Sequence, residues 1–202
     1  MSRKTEIIII IVLVLAILGV GSALGISLYK EDAKNDVQTS SISSEDTTAI
    51  SASVLDDILK QQMMYVSGIN YYYQSSSGQL AHDAMGASVF NSSEVSIKSF
   101  VVAFCAYDAD GSPIKILQPN EQGEGGYVRT ITYDYTKAQG DKASLEPQET
   151  CSDILMYVKN EPQIVTVKAC VKSYVSTDDI SWDNPYYKTF LQVYSGKTLQ
   201  NN

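Results

Sequence analysis

The chain has 202 residues, 15 of them basic and 23 acidic, for a formal net charge of −8. That length suits one ordinary domain with something added. The acidic balance argues against sequence-independent nucleic-acid binding, which needs clustered Lys and Arg to displace counterions, and against docking on anionic lipid headgroups.

The addition is at the N-terminus. Residues 1–6, "MSRKTE", read as a short cytoplasmic tail, and Ile7 to Tyr29 form an uncharged, largely apolar run of 23 residues. At about 1.5 Å per residue, such a helix reaches roughly 34 Å, enough to cross a bilayer core of about 30 Å. The reading is a single transmembrane anchor over 7–29. Arg3 and Lys4 in front, against Lys30 and Lys34 offset by Glu31 and Asp32, favour a cytoplasmic N-terminus. The competing reading is a cleaved leader, with Gly21, Ala23 and Gly25 as the small residues for a cut. The apolar stretch is already 14 residues long at Val20 and then continues, which favours the anchor. Under either reading the remainder is exported, and without Arg3, Lys4 and Glu6 that remainder carries a net charge of −9.

Residues 30–62 read as a flexible stalk. "NDVQTSSISSEDTT" has too little apolar surface to offset its ordering entropy. At its end, "AISASVLDDILKQQMM" spaces Ile50, Val54 and Ile58, with Leu55 and Leu59 beside them, as a short amphipathic helix. An extracytoplasmic domain over 63–202 follows, and there the period changes to two. "MYVSGINYYYQSS" and "AMGASVFNSS" are strand-like, and "SIKSFVVAFCAYD" is apolar on both faces, as in a strand central to a core. "SPIKIL" and "GGYVRTITYDY" come next. In "QIVTVKACVKSYVS", Val165, Val167, Ala169, Val171 and Val175 alternate with Thr166, Lys168 and Lys172, a half-buried pattern. The chain closes on "DNPYYKTFLQVYSGK", a helix of about ten residues with Asn184 as N-cap, Pro185 at the first position and Gly196 past the end. Short strands, frequent turns and one terminal helix point to a mainly β fold. Its expected form is an immunoglobulin-like antiparallel β-sandwich with a short C-terminal helix, preceded by the transmembrane helix.

The candidate sites are few. "DADG" at Asp108 to Gly111 opens like a calcium loop, yet counting from Asp108 the twelfth position is Pro119, where a bidentate Glu is required. Asp-Gly between apolar runs is a hairpin signal, so a turn is expected there and no metal. The single histidine, His82, stands beside Asp83 in a polar segment and reads as a surface pair. No nucleophile, base and orienter are nominated together, so no catalytic residue and no cofactor is expected. Cys105, Cys151 and Cys170 follow no metal spacing, and Cys105 and Cys170 read as buried thiols or one bridge. Fourteen tyrosines are the compositional excess. Tyr71, Tyr72, Tyr73 and Tyr127 are the candidate interaction patch. Trp182, Asn184, Pro185 and Tyr186 are expected to form a structural clasp, with the indole fixing the closing helix and Tyr186 and Phe190 packing behind it.

Three segments, "IKSFVVAFCAYDADGSPIKI", "GGYVRTITYDY" and "VKACVKSYVSTDDISWDNPYYKTFLQVYSGKTL", resemble a domain-of-unknown-function family of secreted and membrane-anchored Gram-positive bacterial proteins. The likeness runs from about Met63 to Leu199, and its most specific part is Trp182, Asn184, Pro185, Tyr186 and Tyr187 before the closing helix. Apolar residues stand in the family at Cys105 and Cys170, so the resemblance implies no disulfide. It implies fold and location, not an activity. "LEPQET" before Cys151 is similar to the entry into a strand in other extracellular immunoglobulin-like domains. The expected function is a membrane-anchored, extracytoplasmic binding module for an unknown cell-surface protein or wall polymer, without catalysis. The alternatives are an envelope-associated hydrolase and a structural spacer.

Overall fold

The computed structural model describes residues 50–73, 82–137, 142–159 and 163–199. The expected anchor over 7–29 and the "NDVQTSSISSEDTT" stalk lie outside them. Among the described residues, no helix is long and apolar enough to cross a membrane.

Strand β3, Ile97–Tyr107, organises the rest. Its Phe100, Val102, Phe104 and Ala106 point into one buried cluster, and its Ala103, Cys105 and Tyr107 into another. Alternation along the strand therefore places both faces in apolar surroundings, as "SFVVAFCAY" requires. Every strand pairing is antiparallel. β1, Met64–Tyr72, pairs with β2, Asp83–Asn91, which pairs with β6, Thr150–Val158. In the second sheet β3 has on one edge β4, Pro113–Ile114, and β5, Arg129–Asp134. On its other edge lies β7, Thr166–Ser176, and β8, Ser181–Asp183, follows β7. The first cluster lies between the sheets and joins Met85, Val89, Ile154, Met156 and Val171 to the inner residues of β3. Burying each such side chain contributes about 1.5–3 kcal/mol.

The second cluster covers the outer face of the larger sheet. Helix α1, Ala52–Leu59, supplies Leu55 and Leu59, and helix α2, Tyr187–Tyr194, supplies Phe190 and Tyr194. The helix expected before the first strand is present, and its two buried leucines make it part of the folded unit. The Ser51 side chain accepts a hydrogen bond from the Val54 N–H at its N-terminus.

β7 corrects the half-buried expectation. Val167 and Val171 do face the other sheet, but Val165 lies before the strand and is 60% exposed. A register shift makes Lys172 an extra residue: Val102 pairs with Val171 and Val101 with Ser173. The bulge reverses the alternation, so Tyr174 and Ser176 turn inward. The opposite face is not left to solvent, because the helices lie over Lys168, Cys170 and Lys172.

The closing helix is shorter than expected and starts later. It spans eight residues, and Tyr186, with no side-chain cap bond, precedes it. Asn184 forms a turn instead: its Oδ1 accepts from the Tyr186 N–H at 2.9 Å, and its carbonyl accepts from the Tyr187 N–H at 3.1 Å. The helix stops where expected, with Gly196 at φ +65° just beyond it.

Candidate functional site

A groove of about 280 Å³ opens beside β7. Thr166 to Val171 run along it without interruption, with Asp56, Leu59 and Lys60 of the α1 region on one side and Tyr65, Val66 and Ile69 of β1 on the other. Its origin is the brevity of β8. That strand pairs with β7 only through Ser173, Tyr174 and Val175. The chain then leaves the sheet edge at Asn184 to build α2. Among the described residues, Thr166 to Val171 have no strand partner on that side. Asn184 closes the ladder: its N–H donates to the Lys172 carbonyl at 2.8 Å and its Nδ2 to the Val171 carbonyl at 2.8 Å. The Val171 carbonyl thus points to the β8 side. Strand alternation places the N–H and C=O of Ala169 and Val167 on that same side, facing the groove.

One wall is held by a polar lock. The Tyr194 hydroxyl donates to Asp56 Oδ1 at 2.5 Å and lies 3.1 Å from the Ala52 carbonyl. Lys168 Nζ meets Asp56 Oδ2 at 2.6 Å and sits 5.3 Å from the centre of the Tyr194 ring. The Tyr107 hydroxyl donates to the Tyr194 carbonyl at 2.6 Å. Burial, with the Asp56 carboxylate beside it, drives the Tyr194 phenol well above its ordinary pKa. α1 is therefore tied to α2 and to β7 through Asp56, and the groove wall is a fixed element.

Two other hollows differ in character. A polar one beside α2 is lined by Gln118, Arg129, Thr130, Lys172 and Tyr187; Arg129 pairs there with Glu121 at 2.6 Å, and Lys172 lies over the Tyr187 ring. The other, at the β5–β6 side, contains His82 with Asn120, Ile131, Leu155 and Tyr157. His82 and Asp83 are not a surface pair. Asp83, the first residue of β2, is 7% exposed and its Oδ2 accepts from the Tyr71 hydroxyl at 2.9 Å, whereas His82 precedes the strand and lines the hollow. Among the described residues, no three His, Cys, Asp or Glu side chains come together to hold a metal ion.

The "DADG" segment is a turn. The Asp108 carboxylate accepts from the N–H groups of Asp110 and Ser112, at 3.0 and 2.8 Å, and Gly111 takes φ +76°. The Leu199 N–H donates to the Gly111 carbonyl at 2.9 Å, fastening the C-terminal segment to this hairpin. Cys105, Cys151 and Cys170 are all buried, and Cys105 and Cys170 are free thiols. Desolvation pushes the Cys105 thiol up to about 12 and raises Cys170 further. These thiols serve as small apolar residues.

The tyrosines expected to form one patch lie on different layers. Tyr71 and Tyr73 meet edge to face at 4.7 Å, and the Tyr73 hydroxyl donates to the Ile164 carbonyl at 3.2 Å. Tyr72 covers Gly86, where a Cβ would stand 2.5 Å from its ring. Tyr127 belongs to the β4–β5 connection of the other sheet and lies against Gly196, with Lys115 near its ring. The residues of the expected clasp are also divided. Trp182 stacks on Tyr174 at 5.1 Å and packs against the inter-sheet cluster, whereas Tyr186 and Phe190 belong to the outer one. The indole does not back onto the helix; Asn184, 6% exposed, makes that connection, and Pro185 is exposed in the turn. Sequence reading missed the groove. Its signal was present: between the turn at Asp178–Asp179 and Pro185 there is no room for a last strand as long as β7.

The chain belongs to DUF5780, a family of unknown function, whose profile matches residues 84–197. The match runs from β2 through α2 and covers the whole β7–β8–α2 unit that creates the groove. No curated protein matches the chain. Among solved structures, it is similar to a hypothetical protein from Peptoclostridium difficile 630 known from a 1.85 Å X-ray structure. The TM-score is 0.54 at 16% identity, over 70% of this chain and 95% of the other. At that identity the likeness concerns the fold alone.

Proposed function

We propose that this member of DUF5780 is an interaction module, held outside the cytoplasm by an N-terminal membrane anchor over 7–29, that binds through the groove beside β7. One observation carries the reading: a run of sheet edge from Thr166 to Val171 is left without a strand partner among the described residues, inside a walled groove. Ile69 in its lining is 36% exposed, and Val165, next in sequence to the lining residue Thr166, is 60% exposed. An edge of this kind invites pairing with another chain unless it is covered. The sandwich is of immunoglobulin-like type under this reading. The sheets β1-β2-β6 and β5-β3-β7-β8 have the connectivity of strands A-B-E and C′-C-F-G of that fold, with the last strand cut short. A structural spacer, the competing reading, has no use for such an edge.

The test is photo-crosslinking in intact cells that carry the full chain, with a benzophenone side chain in place of Ile69, Val165 or Lys137. Lys137 is exposed, with its side chain 82% accessible, and is absent from the groove lining. Discrete adducts from Ile69 and Val165 but not from Lys137 are expected. No adduct, or the same adducts from all three positions, contradicts the reading. External protease added to the same cells should remove the domain; full protection would place it inside.

A further inference from the structure

We infer that the groove is a strand-addition site, filled by one extended peptide segment of a partner protein that pairs with β7 in place of the missing part of β8. This rests on the groove being the binding surface proposed above, and it names what binds there. β7 continues for five residues, Thr166 to Cys170, beyond the groups taken by Asn184, and at about 3.3 Å per residue that is roughly 17 Å of edge. Val167 and Ala169 present their N–H and C=O groups to it, following the direction established by the Val171 carbonyl. An extended segment satisfies them as β8 satisfies Ser173 to Val175.

The walls select the occupant. A strand lying there has α1 on one side and β1 on the other, so its side chains alternate between two surroundings. Val66 and Ile69 offer apolar contact on the β1 side; Leu59 and Lys60 stand on the α1 side. Lys168 is engaged with Asp56, whereas Lys60 is exposed and has no carboxylate partner among the described residues. The matching segment carries apolar residues at alternate positions on one face and a carboxylate near Lys60 on the other.

The probe is an acetylated, amidated octapeptide, Thr-Val-Thr-Val-Glu-Val-Thr-Val, added to the full chain in detergent micelles. Amide hydrogen exchange is followed by mass spectrometry across Thr166 to Val171. At saturation, exchange there should slow by about tenfold or more. A control with Pro at the second and fourth positions, which loses two N–H groups and cannot lie in the ladder, should give no protection. Replacing Glu by Lys should weaken binding by about tenfold, a difference of about 1.4 kcal/mol. The K60A variant should remove the preference for Glu over Lys while keeping the protection. Absence of protection by the first peptide overturns strand addition, as does equal protection by the proline control. Protection that grows with protein concentration without any peptide would assign the edge to a second copy and also overturn it. Discrete crosslinks from Ile69 combined with no peptide protection would sink strand addition and leave the interaction module standing. Peptide protection without any crosslink in cells would do the reverse.

Discussion

β3 and β7 are equally long, eleven residues each, and lie side by side in one sheet, yet their edges differ. β3 has β7 along one edge and, along the other, β5 from Ser99 to Phe104 and β4 at Ala106 and Tyr107. β7 has β3 along one edge and β8 at only three positions on the other. Composition does not produce this difference, because both strands are rich in β-branched and aromatic residues. It arises after β8, where Asn184 and Pro185 turn the chain out of the sheet and α2 covers the outer face. The residues that would have lengthened β8 build the second cluster instead. One face gains a helix and one edge loses a strand.

The largest expected effect lies on the closed strand. Phe104 is fully buried between the sheets, so Phe104→Ala should cost about 3 to 5 kcal/mol in a denaturant melt. That is a large share of the roughly 5 to 15 kcal/mol that stabilises a domain. A loss below about 1 kcal/mol would mean the two-sheet core is wrongly described. Next is the residue at the boundary between the paired and open parts of β7. Asn184→Ala removes two side-chain hydrogen bonds and leaves the Val171 carbonyl without its donor, so roughly 2 kcal/mol should be lost. Faster amide exchange confined to β8 and the start of α2 should accompany it; uniform acceleration would deny Asn184 its local role.

A smaller effect is expected where α1 is tied down. Tyr194→Phe keeps the ring against Phe190 and deletes only the hydroxyl at Asp56, so about 1.5 kcal/mol should be lost. Limited proteolysis should then cut first near α1. If cleavage instead starts in the β1–β2 connection, the lock does not hold the groove wall.

How much of this was legible depends on the range of the interactions. The two apolar faces of "SFVVAFCAY" announced a strand with cover on both sides, since alternation translates directly into facing. Leu55 and Leu59 announced α1, and Asp-Gly the hairpin. β6 was marked in the sequence only by "LEPQET", because the inward Ile154, Met156 and Val158 are interleaved with Leu155 and Tyr157 and show no alternation of apolar with polar residues. The bulge at Lys172 was hidden. An inserted residue changes which side chains face inward without changing composition, and only pairing with β3 reveals it. The tyrosine patch and the clasp failed for a shared reason. Closeness in sequence, as with Trp182 and Tyr186, says nothing about two residues separated by the plane of a sheet. The groove depends on a strand that is absent, and absence becomes visible only once β7 and β8 are placed together.

Amide exchange of the unliganded full chain tests the open edge of β7 most directly. With residue resolution, the amides of Val167 and Ala169 should exchange far faster than those of Val102 and Phe104, which lie in the part of β3 paired on both edges. A difference of at least about a hundredfold is predicted, because the outward N–H groups need no opening of the sheet to meet water. Protection of Val167 and Ala169 equal to that of Val102 and Phe104 would show that the edge is already covered, and would contradict the open groove on which the proposed function stands.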